Sequence, residues 1–177
     1  MKAQSNGGNE RQRAQADALR QASFALQQSQ PADAERIAGD ILKTTPGHPE
    51  ATKVLAYALM MQGRAKEAVA PLERAARTGR NPEIETQLAI ALRRGGQSDK
   101  ALIWLKRAVK RTPPCPAAFH ELGYLLYSLE RPDEAADVLR QGVAIAPMMP
   151  EMWSQLGYVL RAMHDHAGAI ESFSRLP

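Results

Sequence analysis

The stretch WSQLGYVLRAMHDHAGAIESF, residues 153–173, has large and small apolar residues at helical spacing on both sides of a polar turn. The members of this pattern are Trp153, Leu156, Gly157, Leu160, Ala169 and Phe173. Intervals of three and four residues place side chains on one face of a helix. The stretch therefore predicts two helices joined by a short turn.

The same pattern recurs four more times along the chain. Counted from Pro150 as the first position of the last copy, earlier copies begin at Pro116, Pro82, Pro49 and Gln15. The eighth position is always small: Ala22, Ala56, Ala89, Gly123 and Gly157. The twentieth is always alanine: Ala34, Ala68, Ala101, Ala135 and Ala169. Small residues let two helices approach closely where they cross, so each copy predicts a packed helix pair.

These residues resemble the motif of the tetratricopeptide repeat (TPR) family, W-x2-L-G-x2-Y followed by A, F and P. The last copy matches through Trp153, Leu156, Gly157, Ala169 and Phe173, with Leu160 where the motif has tyrosine. The resemblance covers residues 15–177. It implies an all-α fold, an α-solenoid that forms a right-handed superhelix of about five helix-turn-helix units with a concave groove.

The predicted organisation is a flexible N-terminal arm, residues 1–14, followed by a TPR domain, residues 15–177. The repeat units of that domain are residues 15–48, 49–81, 82–115, 116–149 and 150–177. The arm lacks apolar periodicity, and chain termini fray unless they are tied down. In the last unit, Ile170, Phe173 and Leu176 have no following helix to cover them. This predicts either self-association through that end or a longer natural chain.

Composition narrows the function classes. The single cysteine, Cys115, cannot form an internal disulfide, and the polar residues after Met1 are unlike a signal peptide, so a cytoplasmic location is predicted. No stretch approaches the roughly 20 apolar residues of a membrane span. The net charge of +4 is modest and does not by itself indicate nucleic acid.

No pattern predicts catalysis, a cofactor or a metal site. His164, Asp165 and His166 could suggest metal ligation, but they occupy a turn and further ligands would have to come from elsewhere. Cys115 lies between prolines, and the sequence places no catalytic histidine beside it. The glycine-containing turns lack the spacing of a phosphate-binding loop. We therefore expect a protein that is not an enzyme.

The TPR resemblance implies that defined positions of each first helix line the groove. The predicted groove residues are Lys53, Tyr57, Met60, Met61, Ile90, Arg93, Arg94, His120, Tyr124, Tyr127, Tyr158 and Arg161. They include all four tyrosines of the chain. Tyrosine, arginine and methionine are enriched at interfaces, so we expect a scaffold that binds a protein or peptide, with acidic groups favoured by the arginines. Alternatively, the tyrosines only wedge adjacent helices apart.

Other partners and functions have weaker support in the sequence. The groove has no asparagine, which argues against the Lys, Asn and Arg clamp with which some TPR domains hold a chaperone's carboxylate. Lys106, Arg107, Lys110 and Arg111 form a basic cluster late in a second helix, which faces the convex side in this family. The cluster lacks interleaved aromatics, which argues against nucleic acid. An alternative function, resting on fold analogy alone, is the N-terminal recognition module of a longer enzyme such as a bacterial TPR-containing transferase.

Overall fold

A computed structural model of the chain describes residues 4–176, with side chains from residue 10 onward. The described residues form ten α-helices and contain no β-strand. The helices are α1 (Gln4–Gln27), α2 (Pro31–Thr44), α3 (Pro49–Met61), α4 (Ala65–Thr78), α5 (Pro82–Arg94), α6 (Ser98–Ala108), α7 (Pro116–Ser128), α8 (Pro132–Ile145), α9 (Pro150–Ala162) and α10 (His166–Ser174). The predicted all-α fold class of helical repeats is confirmed.

The helices follow the predicted register. The first helices of the last four repeats begin at Pro49, Pro82, Pro116 and Pro150, where the absent N–H leaves no helical hydrogen bond unmade. The small residues at the eighth and twentieth positions of all five repeats are buried. Each repeat is therefore a pair of helices that cross at small side chains.

The chain divides into two compact regions. The N-terminal region, residues 1–79, contains α1 to α4; α2 packs on both α1 and α3, and its core is rich in alanine. In the C-terminal region, residues 80–177, each helix from α5 to α10 packs on the next. The largest fully buried side chains of this region are mostly leucines, including Leu88, Leu105 and Leu139. These larger side chains fill the space between its helix pairs.

Each helix pair turns at a residue in the left-handed backbone region, and that residue is the fifteenth of its repeat. Two are glycines, Gly63 and Gly96, which adopt positive φ without a Cβ clash. The other three are Ser29, Glu130 and His164, with φ of 56°, 57° and 63°. His164 thus has a conformational role in ending α9.

The predicted N-terminal arm overlaps the first helix. The structure has one helix from Gln4 to Gln27, so residues 4–14 extend the first helix, and residues 1–3 lie outside the described part. Residues 10–14 are exposed, and Gln15 Nε2 donates a hydrogen bond to Oγ1 of Thr45, the residue that follows α2, at 2.7 Å. Flexibility of the arm stays a prediction.

We expect deletion of residues 1–12 to leave stability almost unchanged, because the side chains at its described end are exposed. The melting temperature should shift by no more than about 2 °C, the equivalent of roughly 0.5 kcal/mol for a chain of this size. Differential scanning calorimetry of the truncated and full chains measures the shift. A larger fall would mean that the first turns of α1 pack on the helical repeats.

Candidate functional site

The first helices of the last three repeats lie side by side in the C-terminal region, where α7 packs on both α5 and α9. We call their outer surface the first-helix face. Its members are Ile90, Arg93, Arg94, His120, Tyr124, Tyr127, Tyr158 and Arg161. Ile90, Arg93 and His120 are half-buried, and the others are exposed. Eight of the twelve predicted groove residues thus share one region.

Three tyrosines dominate this face. Tyr124 and Tyr158 occupy the ninth position of consecutive repeats and are 47% and 50% exposed, and Tyr127 is 42% exposed. Aromatic rings are enriched in protein interfaces because they bury a large area and keep a polar tip. The exposed rings are therefore the strongest binding feature of the face.

Arginine side chains lie over two of these rings. The guanidinium carbon of Arg93 is 4.7 Å from the ring centroid of Tyr124, and that of Arg161 is 5.1 Å from the centroid of Tyr158. Tyr158 also meets Phe173 of α10 edge to face, with 5.3 Å between centroids. Cation–π and edge contacts of this kind stabilise a ring orientation. The two tyrosines are therefore held in place rather than freely rotating.

The two stacked arginines differ in what else they contact. Arg93 Nη2 is 3.1 Å from Glu121 Oε2, and both side chains are mostly buried. Arg93 Nε is buried and has no hydrogen-bond acceptor among the described residues. Arg161 is exposed, and no carboxylate within the described residues pairs with it. Arg93 therefore links α5 to α7, whereas Arg161 presents its charge to solvent.

Polar side chains also link α7 to α9. With its amide oriented so that the oxygen accepts from the Tyr124 N–H, Gln155 donates to the carbonyl oxygen and to Nε2 of His120, both at 3.2 Å. His120 Nδ1 lies 4.0 Å from Glu121 Oε1. Gln155 and Glu121 were missed by sequence reasoning. The available signal was their place in the repeat. Both are the sixth residue of their repeat, directly after the position that His120 occupies in the fourth repeat.

The other four predicted groove residues lie in the N-terminal region, on α3. Tyr57 and Met61 are exposed, and Lys53 Nζ pairs with Glu50 Oε1 at 2.8 Å. Met60 is only 7% exposed, so it offers little surface to a ligand, and its place in the groove stays a prediction. The twelfth repeat position is at the edge of the interior. A charged chain such as Arg161 reaches solvent from there, whereas the apolar Met60 turns inward.

An exposed aromatic of the N-terminal region was not predicted. Phe24 of α1 is largely exposed and lines a shallow recess of about 390 Å³ with Leu19 and Val54. It is at the tenth repeat position, one residue after the ninth position that Tyr124 and Tyr158 occupy. The predicted groove positions therefore do not include it. Only its size and apolar character pointed to it.

Comparison with known proteins identifies the repeats. Tetratricopeptide repeat models match residues 25–85, 86–150 and 120–177. The chain belongs to the tetratricopeptide repeat family. No match was found among curated proteins.

Solved TPR structures share the fold at low sequence identity. PilF of Pseudomonas aeruginosa has a TM-score of 0.84 and 16% identity, over 94% of this chain and 76% of that one. A thermophilic TPR protein of Thermus thermophilus has a TM-score of 0.75 and 24% identity, over 91% of this chain and 89% of that one. MamA has a TM-score of 0.71 and 19% identity, over 87% of this chain and 91% of that one. At these identities the likeness concerns the fold alone.

The structure also places the residues that were considered for metal binding or catalysis. His164 and His166 meet edge to face at 6.1 Å, and Asp165 Oδ1 accepts from the Gly168 N–H at 3.0 Å as the cap of α10. Cys115 is buried before α7. Within the described residues, no three His, Cys, Asp or Glu side chains come together as a metal-binding group. None of the helices of residues 4–176 has the length and apolar character to span a bilayer.

The basic cluster of the third TPR unit is organised by a buried carboxylate. Glu85 of α5 is fully buried, with Arg107 Nε at 2.9 Å and Arg111 Nη2 at 2.7 Å from its Oε1. The hydrogen bonds that Arg111 donates to Glu85 raise the pKa of Arg111 above its usual value. Arg107 also lies over the Trp104 ring, 5.0 Å from its centroid. Two of the four cations, Arg107 and Arg111, therefore help to hold α5 against α6 and the turn that follows it.

Proposed function

We propose that this chain is a non-catalytic TPR scaffold that binds a peptide or a partner protein on the first-helix face. The observation that carries the proposal is the pair Tyr124 and Tyr158, two half-exposed rings at equivalent repeat positions, each with an arginine over it. A ring that is already held loses little conformational freedom when a ligand covers it. Such rings are suited to be the anchors that supply most of the binding energy.

Arg161 gives this face a preference for acidic ligands. Its guanidinium is fixed beside Tyr158 and is not paired with a carboxylate among residues 10–176. A guanidinium binds a carboxylate through two parallel hydrogen bonds, which are stronger than neutral ones. Arg93 contributes less, because Glu121 already engages it. The proposed ligand therefore covers the tyrosines with apolar groups and places a carboxylate near Arg161.

Replacing Tyr124 and Tyr158 together with alanine should weaken partner binding at least about ten-fold, which is about 1.4 kcal/mol. The free energy of unfolding should fall less, since each side chain is about half exposed. Affinity capture with the wild-type chain, followed by mass spectrometry, identifies the partner. Titration of that partner against both proteins, with their melting temperatures, then measures the two effects.

The matched control is Phe24→Ala with Ile145→Ala, which removes two exposed apolar side chains outside the first-helix face. This variant should bind the partner like the wild type. The proposal fails if the tyrosine variant binds normally but melts far earlier, because the rings would then only wedge the helices. The proposal would also be contradicted if the tyrosine variant and the Phe24→Ala with Ile145→Ala variant lost affinity for the partner equally.

Two further expectations from the sequence stay predictions. The end of the chain exposes Ile170 of α10, while Phe173 is half-buried beside Tyr158. Association of two copies through this helix would cover Ile170. A cytoplasmic location rests on the single cysteine and the polar N-terminal sequence.

A further inference from the structure

A recess of about 450 Å³ lies on the outer surface of α6 and the turn that follows it. We call it the α6 recess. It is lined by Ile103, Lys106, Arg107, Lys110 and Arg111. We propose that the α6 recess is a second binding surface, for an acidic peptide segment of a partner protein. The segment would carry an apolar side chain with carboxylates next to it.

Positive charge in the recess exceeds the negative charge around it. Arg107 and Arg111 share one carboxylate, that of Glu85. Lys106 is 3.9 Å from Glu134 Oε2, a carboxylate that Arg131 engages more closely. Lys110 is exposed and has no acceptor among the described residues. The cluster therefore retains a surplus of positive charge that faces solvent.

The buried carboxylate also orients the guanidinium groups. Arg107 contacts Glu85 through Nε, and the remaining donors of its guanidinium have no acceptor within residues 10–176. Arg107 is half-exposed and packed against the Trp104 ring, so its plane is fixed. A fixed guanidinium with open donors is pre-organised for a carboxylate and loses little side-chain freedom on binding.

The dimensions of the recess limit the ligand. From Ile103 to Lys110 the distance is about 10 Å at a helical rise of about 1.5 Å per residue. An extended peptide advances about 3.3 Å per residue, so about three residues fit along it. Ile103 is 67% exposed at one end, with the cations beyond it. A segment with an apolar side chain for Ile103 and flanking carboxylates for the cations matches this layout.

The same features argue against other anionic partners. Ile103 is the only large apolar residue exposed in the recess, whereas a helix that inserts into a membrane surface needs a broad apolar face. Trp104 is half-buried and covered by Arg107, so among the residues of the recess no open ring is available to stack on a base. A short acidic segment is the occupant that the recess fits best.

The test uses a dye-labelled short peptide in which glutamate alternates with leucine, measured by fluorescence anisotropy at low salt against the full chain. A matched peptide has glutamine in place of glutamate and should bind at least about five-fold more weakly. Lys106→Gln with Lys110→Gln should lower affinity for the acidic peptide about five-fold, as expected for two partly exposed ion pairs. The melting temperature should not change, because neither lysine contacts Glu85.

Two controls separate this site from general charge attraction and from the first-helix face. Lys43→Gln with Lys66→Gln removes the same net charge from exposed positions of the N-terminal region and should change affinity less than two-fold. Tyr124→Ala with Tyr158→Ala removes any binding of the peptide on the first-helix face, so Lys106→Gln with Lys110→Gln should still lower affinity about five-fold when added to that variant. Ile103→Ala should weaken binding of the leucine-containing peptide but not that of a version with alanine in place of leucine.

The proposal is overturned if the wild-type chain does not bind the acidic peptide, or if both lysine double variants lose affinity equally. It is also overturned if vesicles of phosphatidylcholine and phosphatidylserine, or a single-stranded RNA, bind through Lys106 and Lys110 more tightly than the peptide does. None of these results would bear on the tyrosine test of the first-helix face.

Discussion

Replacing Arg107 and Arg111 together with glutamine is expected to lower the free energy of unfolding by about 3 kcal/mol. The fully buried Glu85 would then lack both cations, and removing the partner of a buried charge costs about 3–5 kcal/mol. We expect the low end of this range because water can enter the space that two shortened side chains vacate. Urea unfolding followed by circular dichroism measures the loss.

The control is a cycle through Glu85→Gln. Glutamine has a similar shape and no charge, so Glu85→Gln alone should cost less than the double arginine variant, since the half-exposed Arg107 can be hydrated. Combined with both arginine changes, it should recover at least about 1 kcal/mol relative to the arginine variant, because no charge remains buried. A triple variant no more stable than the arginine variant would show that the carboxylate does not depend on these cations.

The helix starts were predictable because their signals are local. Proline at the start of a helix, small residues at two fixed positions and a period near 34 residues each appear in the sequence itself. Pro49, Pro82, Pro116 and Pro150 accordingly open α3, α5, α7 and α9 in the structure. Helical repeats of this kind are built mainly from contacts between neighbouring segments, so local patterns determine most of the fold.

The turn residues were only partly predictable. Gly63 and Gly96 signal a left-handed turn because glycine adopts positive φ without a clash. Ser29, Glu130 and His164 adopt the same backbone without that signal. Their conformation is imposed by the helices on either side rather than by residue type. His164 accordingly drew attention as a possible metal ligand, although its position in the repeat explains it.

The pairing of charged residues could not be predicted from the sequence. Arg111 and Glu85 are 26 residues apart, and Arg93 and Glu121 are 28 apart. The first pair lies within one repeat and the second joins neighbouring repeats, and neither spacing is a helical or a repeat period. Arg93 was therefore predicted as a binding residue without its partner Glu121. The four cations of the basic cluster were also treated alike, although two of them contact Glu85. The TPR resemblance placed Tyr124, Tyr127 and Tyr158 on a surface of their helices, and all three are exposed.

Close packing predicts the second large effect, Gly142→Leu. Gly142 is inside α8, and a Cβ atom there would overlap Met152 Sδ and lie 3.0 Å from Phe119 Cβ. Met152 can move, but Phe119 Cβ is attached to the backbone of α7 and cannot. Forcing extra carbons into such a core costs about 1–3 kcal/mol, occasionally more. We expect a net loss of about 2 kcal/mol or more, after a gain of about 0.8 kcal/mol in helix propensity.

The matched control is Gly39→Leu, because Gly39 is also inside a helix, α2, and a Cβ there would meet no atom within 4 Å. The same substitution should stabilise the protein by about 0.5–1 kcal/mol, since leucine favours the helix over glycine. Melting temperatures of the two variants should therefore shift in opposite directions. Adding Met152→Ala to Gly142→Leu vacates the volume that the new side chain needs, so that pair should cost less than the sum of its single changes. Additive losses, or a Gly142→Leu variant as stable as the wild type, would mean that α7, α8 and α9 separate easily and that their contact does not hold the first-helix face in register.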